Sequence, residues 1–297
     1  MRHLLTGIAC LLLLFLNTLL VFVPVMLLGL LKRLPWRPWQ HLCSRGLTGV
    51  AECWGTVNNW AFARLCPTRW DVRGAEHLKR NGSYLIICNH QSWVDIPALM
   101  QVFNRKIPYF RFFLKQELIW IPLLGLAFWA LDYPFMKRHS SADLKKNPRL
   151  RTRDLEIARQ ACEKFRGQPV TVVNYLEGTR FTPAKKADQQ SPYQHLLKPK
   201  TGGIAFVFGI LGQQLDAVLD VTLVYPDGRV PGFWALLSGQ VPRIIIDVQT
   251  RPLPPELRQD DFERNPGFRR AVQKWIGQIW QEKDERIDQL QHEAASR

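Results

Sequence analysis

The sequence predicts an α/β domain that begins near residue 70 and is preceded by an apolar, membrane-associated segment. Three observations carry that expectation. Short apolar runs such as "YLIIC" (84–88) and "AVLDVTLVY" (217–225) alternate with stretches of helical period. Leu4 to Leu31 contains no charged residue and exceeds the ~20 residues that cross a bilayer core. Finally, 40 Lys and Arg against 25 Asp and Glu give a net charge of +15, alongside 11 tryptophans. That combination suits an anionic lipid surface, because indole rings favour the membrane interface.

The apolar segment is long for a signal peptide and shows no small-residue cleavage site. Lys32, Arg33, Arg37 and Arg45 follow it while Arg2 precedes it, which places the C-terminal side in the cytoplasm. A spanning helix is the first expectation. Asn17 and Pro24 leave a re-entrant or in-plane arrangement open. Residues 1–66 are thus expected to form a membrane anchor and amphipathic helical region, and 67–297 an α/β domain ending in a helix. The six cysteines (10, 43, 53, 66, 88 and 162) lack C-x-x-C spacing and read as reduced, buried small hydrophobes.

Residues 38–66 read as amphipathic helix and Asp71 to Gly82 as a polar boundary loop or hairpin. "YLIIC" is a buried strand, "WVDIPALMQVF" (93–103) a helix, and "IPYFRFFL" (107–114) a strand. Glu117 to Leu131 is an apolar helix interrupted at Pro-Leu-Leu-Gly, and "DYPFMKR" (132–138) is a short strand. "TRDLEIARQACEKF" (152–165) has a helical period. "PVTVVNYLE" (169–177) is a strand apolar enough for burial on both faces. "PAKKADQQSP" (183–192) is loop-like, and "RIIIDVQ" (243–249) is the last strand. Phe268 to Leu290 is a long, charged, amphipathic helix.

"NHQSWVD" (89–95) follows the first buried strand directly. It places His90 and Asp95 at the carboxyl end of a strand, where sites form in open α/β sheets. A histidine oriented by a carboxylate is the base half of a triad, sufficient when the substrate brings its own hydroxyl. Alone, the stretch reads more readily as a surface histidine near a helix N-terminus, with Asp95 as an early-turn acid. "YLEGTRF" (175–181) delivers Glu177, Gly178, Thr179 and Arg180 to another strand end, with a flexible turn, a hydroxyl and a guanidinium fork suited to phosphate. Alone it is an ordinary glycine turn carrying a Glu–Arg pair. Lys115 precedes the apolar helix, and Lys137 and Arg138 follow the short strand. "LLKPKTGGIAF" (196–206) lacks the glycine spacing of a Walker A loop.

In order and spacing, N-H-x-x-x-x-D after a strand, K-x-E-L before Ile-Pro-x-x-G, an Arg-ending apolar motif and E-G-T-R resemble the glycerolipid acyltransferases. This is the PlsC-like 1-acyl-sn-glycerol-3-phosphate acyltransferase family, and the resemblance covers roughly residues 70–250. "EGTRFT", "LLKPKTGG" and "DVTLVYP" are most similar to the bacterial YihG-like membrane branch and the long-chain-acyl animal branch. The resemblance implies a mixed sheet flanked by helices, with His90 as general base and Asp95 as its orienter. It further implies that Glu177, Gly178, Thr179 and Arg180 bind the acceptor, with Lys115 and Arg138 adding charge. The implied partners are membrane lipid, a lysophospholipid acceptor and an acyl thioester, either acyl-CoA or acyl-carrier protein. No cofactor, metal or nucleic acid is implied, and the implied location is the cytoplasmic side of a bacterial inner membrane. Two motifs depart from the family: "YPFMKR" replaces an aliphatic run into Phe-Ile-x-Arg, and "VTLVYP" places Pro226 late. Both bear on substrate identity. A non-catalytic protein binding anionic lipid is the rival of another class.

Overall fold

The computed structural model describes residues 1–296 apart from 113, 137–155, 157, 158, 161, 164, 227 and 259–264. Two long helices, α1 (Arg2–Leu31) and α2 (Arg37–Leu65), come first. They run antiparallel: Leu28 faces Gly46, Trp54 Nε1 donates to Thr18 Oγ1 at 3.0 Å, and Asn17 Nδ2 donates to Asn58 Oδ1 at 2.7 Å. The small and polar residues of α1, Gly7, Cys10, Asn17 and Gly29, face inward with Val25, while Leu4, Leu12, Phe15, Leu20 and Leu27 stay exposed.

A six-stranded sheet follows in the order β1-β8-β7-β2-β6-β3. Its strands are β1 (Arg69–Arg73), β2 (Tyr84–Cys88), β3 (Phe110–Phe112), β6 (Thr171–Tyr175), β7 (Ala217–Val224) and β8 (Arg243–Arg251). β4 (Leu114–Lys115) and β5 (Phe135–Met136) pair with each other as a separate two-stranded sheet. The run β7, β2, β6, β3 is parallel, whereas β8 lies antiparallel to β7 and parallel to β1. The carboxyl ends of β2, β6 and β7 therefore share one edge.

Both faces of this sheet are covered, which accounts for strands such as β2 and β7 being buried throughout. On one face, Leu85 and Ile87 pack with α6 (Gly202–Leu211) and α8 (Pro266–Ala295). On the other, Ile86 and Cys88 pack with α3 (Asp95–Phe103), α7 (Phe233–Leu237), Phe62 of α2 and Cys10 of α1. The remaining helices are α4 (Leu124–Ala130), after a 3₁₀ turn at Gln116–Trp120, and α5 (Pro183–Asp188).

Three expectations differ from this fold. The boundary loop expected from Asp71 overlaps edge strand β1, whose polarity is tolerated because Arg73 and Arg243 pair the Asp71 carboxylate and hold it down at about 2. Residues 183–188, expected as loop, are helical: Pro183 occupies the first turn and Thr182 caps it by accepting from Lys185 N. Cys53 of α2, expected to be buried like the other five cysteines, is exposed. A Cβ on Gly7 would meet Trp234 of α7, and one on Gly29 would meet Ala130 of α4. A 30-residue helix of about 45 Å is thus held against the domain near both ends. The helix expected over 152–165 lies largely outside the described residues; Glu156, Arg159, Gln160, Cys162 and Glu163 are helical.

Candidate active site

Asn89, buried at the end of β2, prolongs the sheet with its side chain: Nδ2 donates to Leu223 O and Oδ1 accepts from Leu223 N, both at 2.9 Å. This pins the next residue, His90, above the shared carboxyl edge. Asp95 opens α3 and is fully buried. Its Oδ2 accepts from Gln91 N (2.7 Å), Ser92 N (2.9 Å) and His90 Nδ1 (2.7 Å). Because Asp95 acts as acceptor throughout, the imidazole proton sits on Nδ1, leaving Nε2 with a lone pair for a substrate proton. The His90 side chain is 18% exposed, so the ring reaches solvent while its orienter does not. Tyr175, the last residue of β6, stacks under it with ring centroids 4.1 Å apart.

The E-G-T-R turn is bound to the same histidine from two sides. Glu177 is fully buried; its Oε1 accepts from His90 N at 2.8 Å and its Oε2 from Leu197 N at 3.0 Å. Burial pushes this carboxyl up to about 7, against the lowering pull of those two N–H donors. Glu177 thus faces the interior, and what it grips is the backbone of His90. On the other side, Phe181 N donates to His90 O at 2.7 Å, which holds Arg180 beside the histidine.

Gly178 takes a φ of +66°, and the Lys200 side chain lies so close that a Cβ there would come 3.3 Å from its Nζ. Lys185 Nζ donates to Thr179 Oγ1 (2.8 Å) and Arg180 O (2.9 Å), so the Thr179 hydroxyl keeps its proton to donate outward. The Arg180 guanidinium sits over the Trp93 ring, 4.3 Å from its centroid. Neither Arg180 nor Lys200 has a carboxylate partner among the described residues. The turn is therefore a cationic rim beside a base.

Of the eight residues the motifs named, six converge here: His90, Asp95, Glu177, Gly178, Thr179 and Arg180. Lys115 lies on β4, in the separate two-stranded sheet, opposite Met136. Arg138 lies outside the described residues. No role was expected of Asn89, Trp93, Lys185, Lys200 or Tyr225, although all but Lys185 fall inside quoted motifs; the Tyr225 hydroxyl donates to Asp95 Oδ1 at 2.5 Å. Trp93 is an exposed aromatic inside the histidine motif.

The family model described as Acyltransferase matches residues 69–224, from the start of β1 to the end of β7. The chain belongs to the acyltransferase family. Relatives of the chain include lysocardiolipin acyltransferase 1 of Gallus gallus, 28% identical over 68% of this chain and 52% of that protein. The 1-acyl-sn-glycerol-3-phosphate acyltransferases epsilon and gamma of Mus musculus are 24% and 25% identical over 69% and 85% of this chain, and 57% and 61% of theirs. The chain thus spans about half to three-fifths of the length of these curated relatives. In fold it is similar to the 1-acyl-sn-glycerophosphate acyltransferase PlsC of Thermotoga maritima, with a TM-score of 0.56 and 19% identity over 98% of both chains. The mixed sheet flanked by helices is that shared architecture, and the likenesses are to the PlsC-like family whose ordered motifs the sequence carries.

Proposed function

We propose that the protein is a membrane-bound O-acyltransferase. It moves a fatty acyl group from acyl-CoA or acyl-carrier protein to the free hydroxyl of a lysophospholipid, with 1-acyl-glycerol-3-phosphate as acceptor and phosphatidate as product. The observation that carries this reading is the 2.7 Å hydrogen bond from Phe181 N to His90 O, which joins a base to a cationic rim that has no carboxylate partner among the described residues. His90 Nε2 takes the proton of the acceptor hydroxyl as that oxygen attacks the thioester carbonyl. The carbon–sulfur bond then breaks, and the same proton leaves with the thiolate as free thiol. Asp95 holds the tautomer and balances the imidazolium, while Arg180, with Thr179 and the turn at Gly178, takes the acceptor's phosphate. No cofactor or metal enters this scheme. Lys115 and Arg138 are assigned supporting charge at the same anion site.

Membrane attachment in this reading is through α1, the one described helix long and apolar enough to cross a bilayer. Its contacts near both ends with α7 and α4 favour an in-plane seat, its exposed leucines in lipid and the domain on the cytoplasmic side of a bacterial inner membrane. Relatives named for lysocardiolipin support a second acceptor class, phosphodiester lysophospholipids such as lysophosphatidylglycerol. One assay separates these: purified protein with acyl-CoA or acyl-carrier protein, and lysophosphatidate, lysophosphatidylglycerol or lysocardiolipin in vesicles, reading thiol release and lipid product. Lysophosphatidate is expected to be acylated fastest. Equal or faster acylation of the diesters would move the acceptor assignment to them. Thiol release independent of acceptor would mark a hydrolase, and no release at all a lipid-binding protein.

A further inference from the structure

The motif "DVTLVYP" departs from the family pattern, and its tyrosine lies one residue beyond the segment 69–224 matched by the family model. Tyr225 leaves the end of β7, is 5% exposed, and donates its hydroxyl to Asp95 Oδ1 at 2.5 Å across 130 residues of chain. The Asp95 carboxylate is then divided in function. Oδ2 collects His90 and two backbone N–H groups, while Oδ1 has Tyr225 as its one partner among the described residues.

We propose that Tyr225 is a positioning residue for acyl transfer, setting both the rotation of the Asp95 carboxylate and the share of its negative charge that reaches His90. This role rests on the acyltransferase reading above. With the phenol in place, part of that charge is spent on Oδ1. Without it, a buried lone pair has no donor, and the carboxylate holds the protonated imidazole more tightly. The reaction needs His90 in its neutral form, so loss of the phenol reduces the reactive fraction at a given pH.

Other groups face this pair and are unchanged by substituting Tyr225. They are Cys88 at the end of β2, Tyr175 on β6, Glu177 in the turn, and the buried Asp220–Lys283 ion pair that joins β7 to α8. Burial, with the Asp95 carboxylate beside it, pushes the Tyr225 phenol well above its ordinary range, so it stays protonated and donating wherever the protein works.

The test is the pH dependence of kcat/KM for acyl transfer, measured as thiol release with lysophosphatidate vesicles, in wild type, Tyr225→Phe and Tyr225→Leu. The phenylalanine variant keeps the ring and so the packing of β7; the leucine variant removes the hydroxyl by another route. Both are expected to move the acid limb upward by about half a unit or more and to lower kcat by about tenfold. An acid limb that stays in place in both variants, whatever the loss of rate, reduces Tyr225 to a packing residue and overturns the proposal. Movement in Tyr225→Leu alone would assign the effect to the ring and overturn it equally. Wild-type protein that transfers no acyl group would sink the acyltransferase reading and this role with it. That failure is distinct, because there is then no rate to profile.

Discussion

Glu177 offers the sharpest test of how the site is braced. Its two carboxylate oxygens each accept one backbone N–H, from His90 at 2.8 Å and Leu197 at 3.0 Å, with no exposure to water. In Glu177→Gln the carboxamide presents oxygen to one of these donors and NH2 to the other. Two donors then face each other in the interior, at a cost of about 1–3 kcal/mol. The native carboxyl also titrates differently in the two states, from an ordinary value of 4.5 to about 7 in the fold, with burial as the main cause. A raised folded value means that the folded protein holds the proton where the unfolded chain has released it. The stabilising contribution is therefore fully present below 4.5, declines as pH rises, and is gone above about 7, a change of roughly 3 kcal/mol. Glutamine does not titrate. The gap between the two proteins should be widest near pH 5, with the variant melting roughly 2–6 °C lower, and should close or reverse by pH 8. Tryptophan fluorescence during thermal unfolding, at half-unit steps from pH 5 to 8, reads this directly. Other titrating groups are common to both proteins and cancel in the difference. A gap constant across that range would refute the claim that Glu177 is buried as a proton-binding brace.

His90→Ala should lower acyl transfer by at least about a hundredfold, the scale of lost general-base catalysis, while vesicle co-sedimentation is unchanged; full activity in that variant removes the histidine from the chemistry. Arg180→Ala should raise the acceptor KM by about tenfold or more, the scale of a charge-assisted hydrogen bond, and leave the thioester KM nearly unaltered. An equal rise in both constants would take the phosphate away from Arg180.

The dyad was legible because both partners lie on one strand–turn–helix, where a five-residue spacing already fixes the side of the sheet they occupy. The brace was not. Nothing near "EGTR" indicates that Glu177 turns inward to Leu197 and to His90, which is 87 residues away, so the carboxylate read as part of the surface turn. Strand β1 was missed for a related reason. Its apolar face is short, and Arg243, the partner that neutralises Asp71, lies 172 residues downstream. Helix α5 differs, since its signal was present: Thr182 ahead of Pro183 is a capping pattern that outweighs the polar composition of the segment. Tyr225 had no local signal, because an aromatic residue at the end of a buried strand is ordinary core by composition.

Residues on both sides of the boundary expected at residue 66 pack together. Cys10, Phe62 and Cys66 belong to the same buried cluster as Ile86 and Leu219 of the central strands. Helix α2 is joined to α3 by polar contacts as well: Asn59 Nδ2 donates to Met100 O at 3.0 Å, and Asn104 Nδ2 to Thr56 Oγ1 at 2.9 Å. Since α3 begins with Asp95, the helix that orients the base is clamped to the helix pair that carries the exposed leucines. Packed interiors transmit displacement because they contain few voids to absorb it. The position of His90 relative to α1 is therefore set by the α1–α2–α3 stack. Trp93, in the turn just before α3, is 56% exposed and carries the Arg180 guanidinium on its face. An exposed indole paired with a cation is chemistry suited to headgroup depth. In the proposed reaction, a lipid phosphate on Arg180 would leave the acceptor hydroxyl within reach of His90, because Phe181 N holds the turn to His90 O at 2.7 Å.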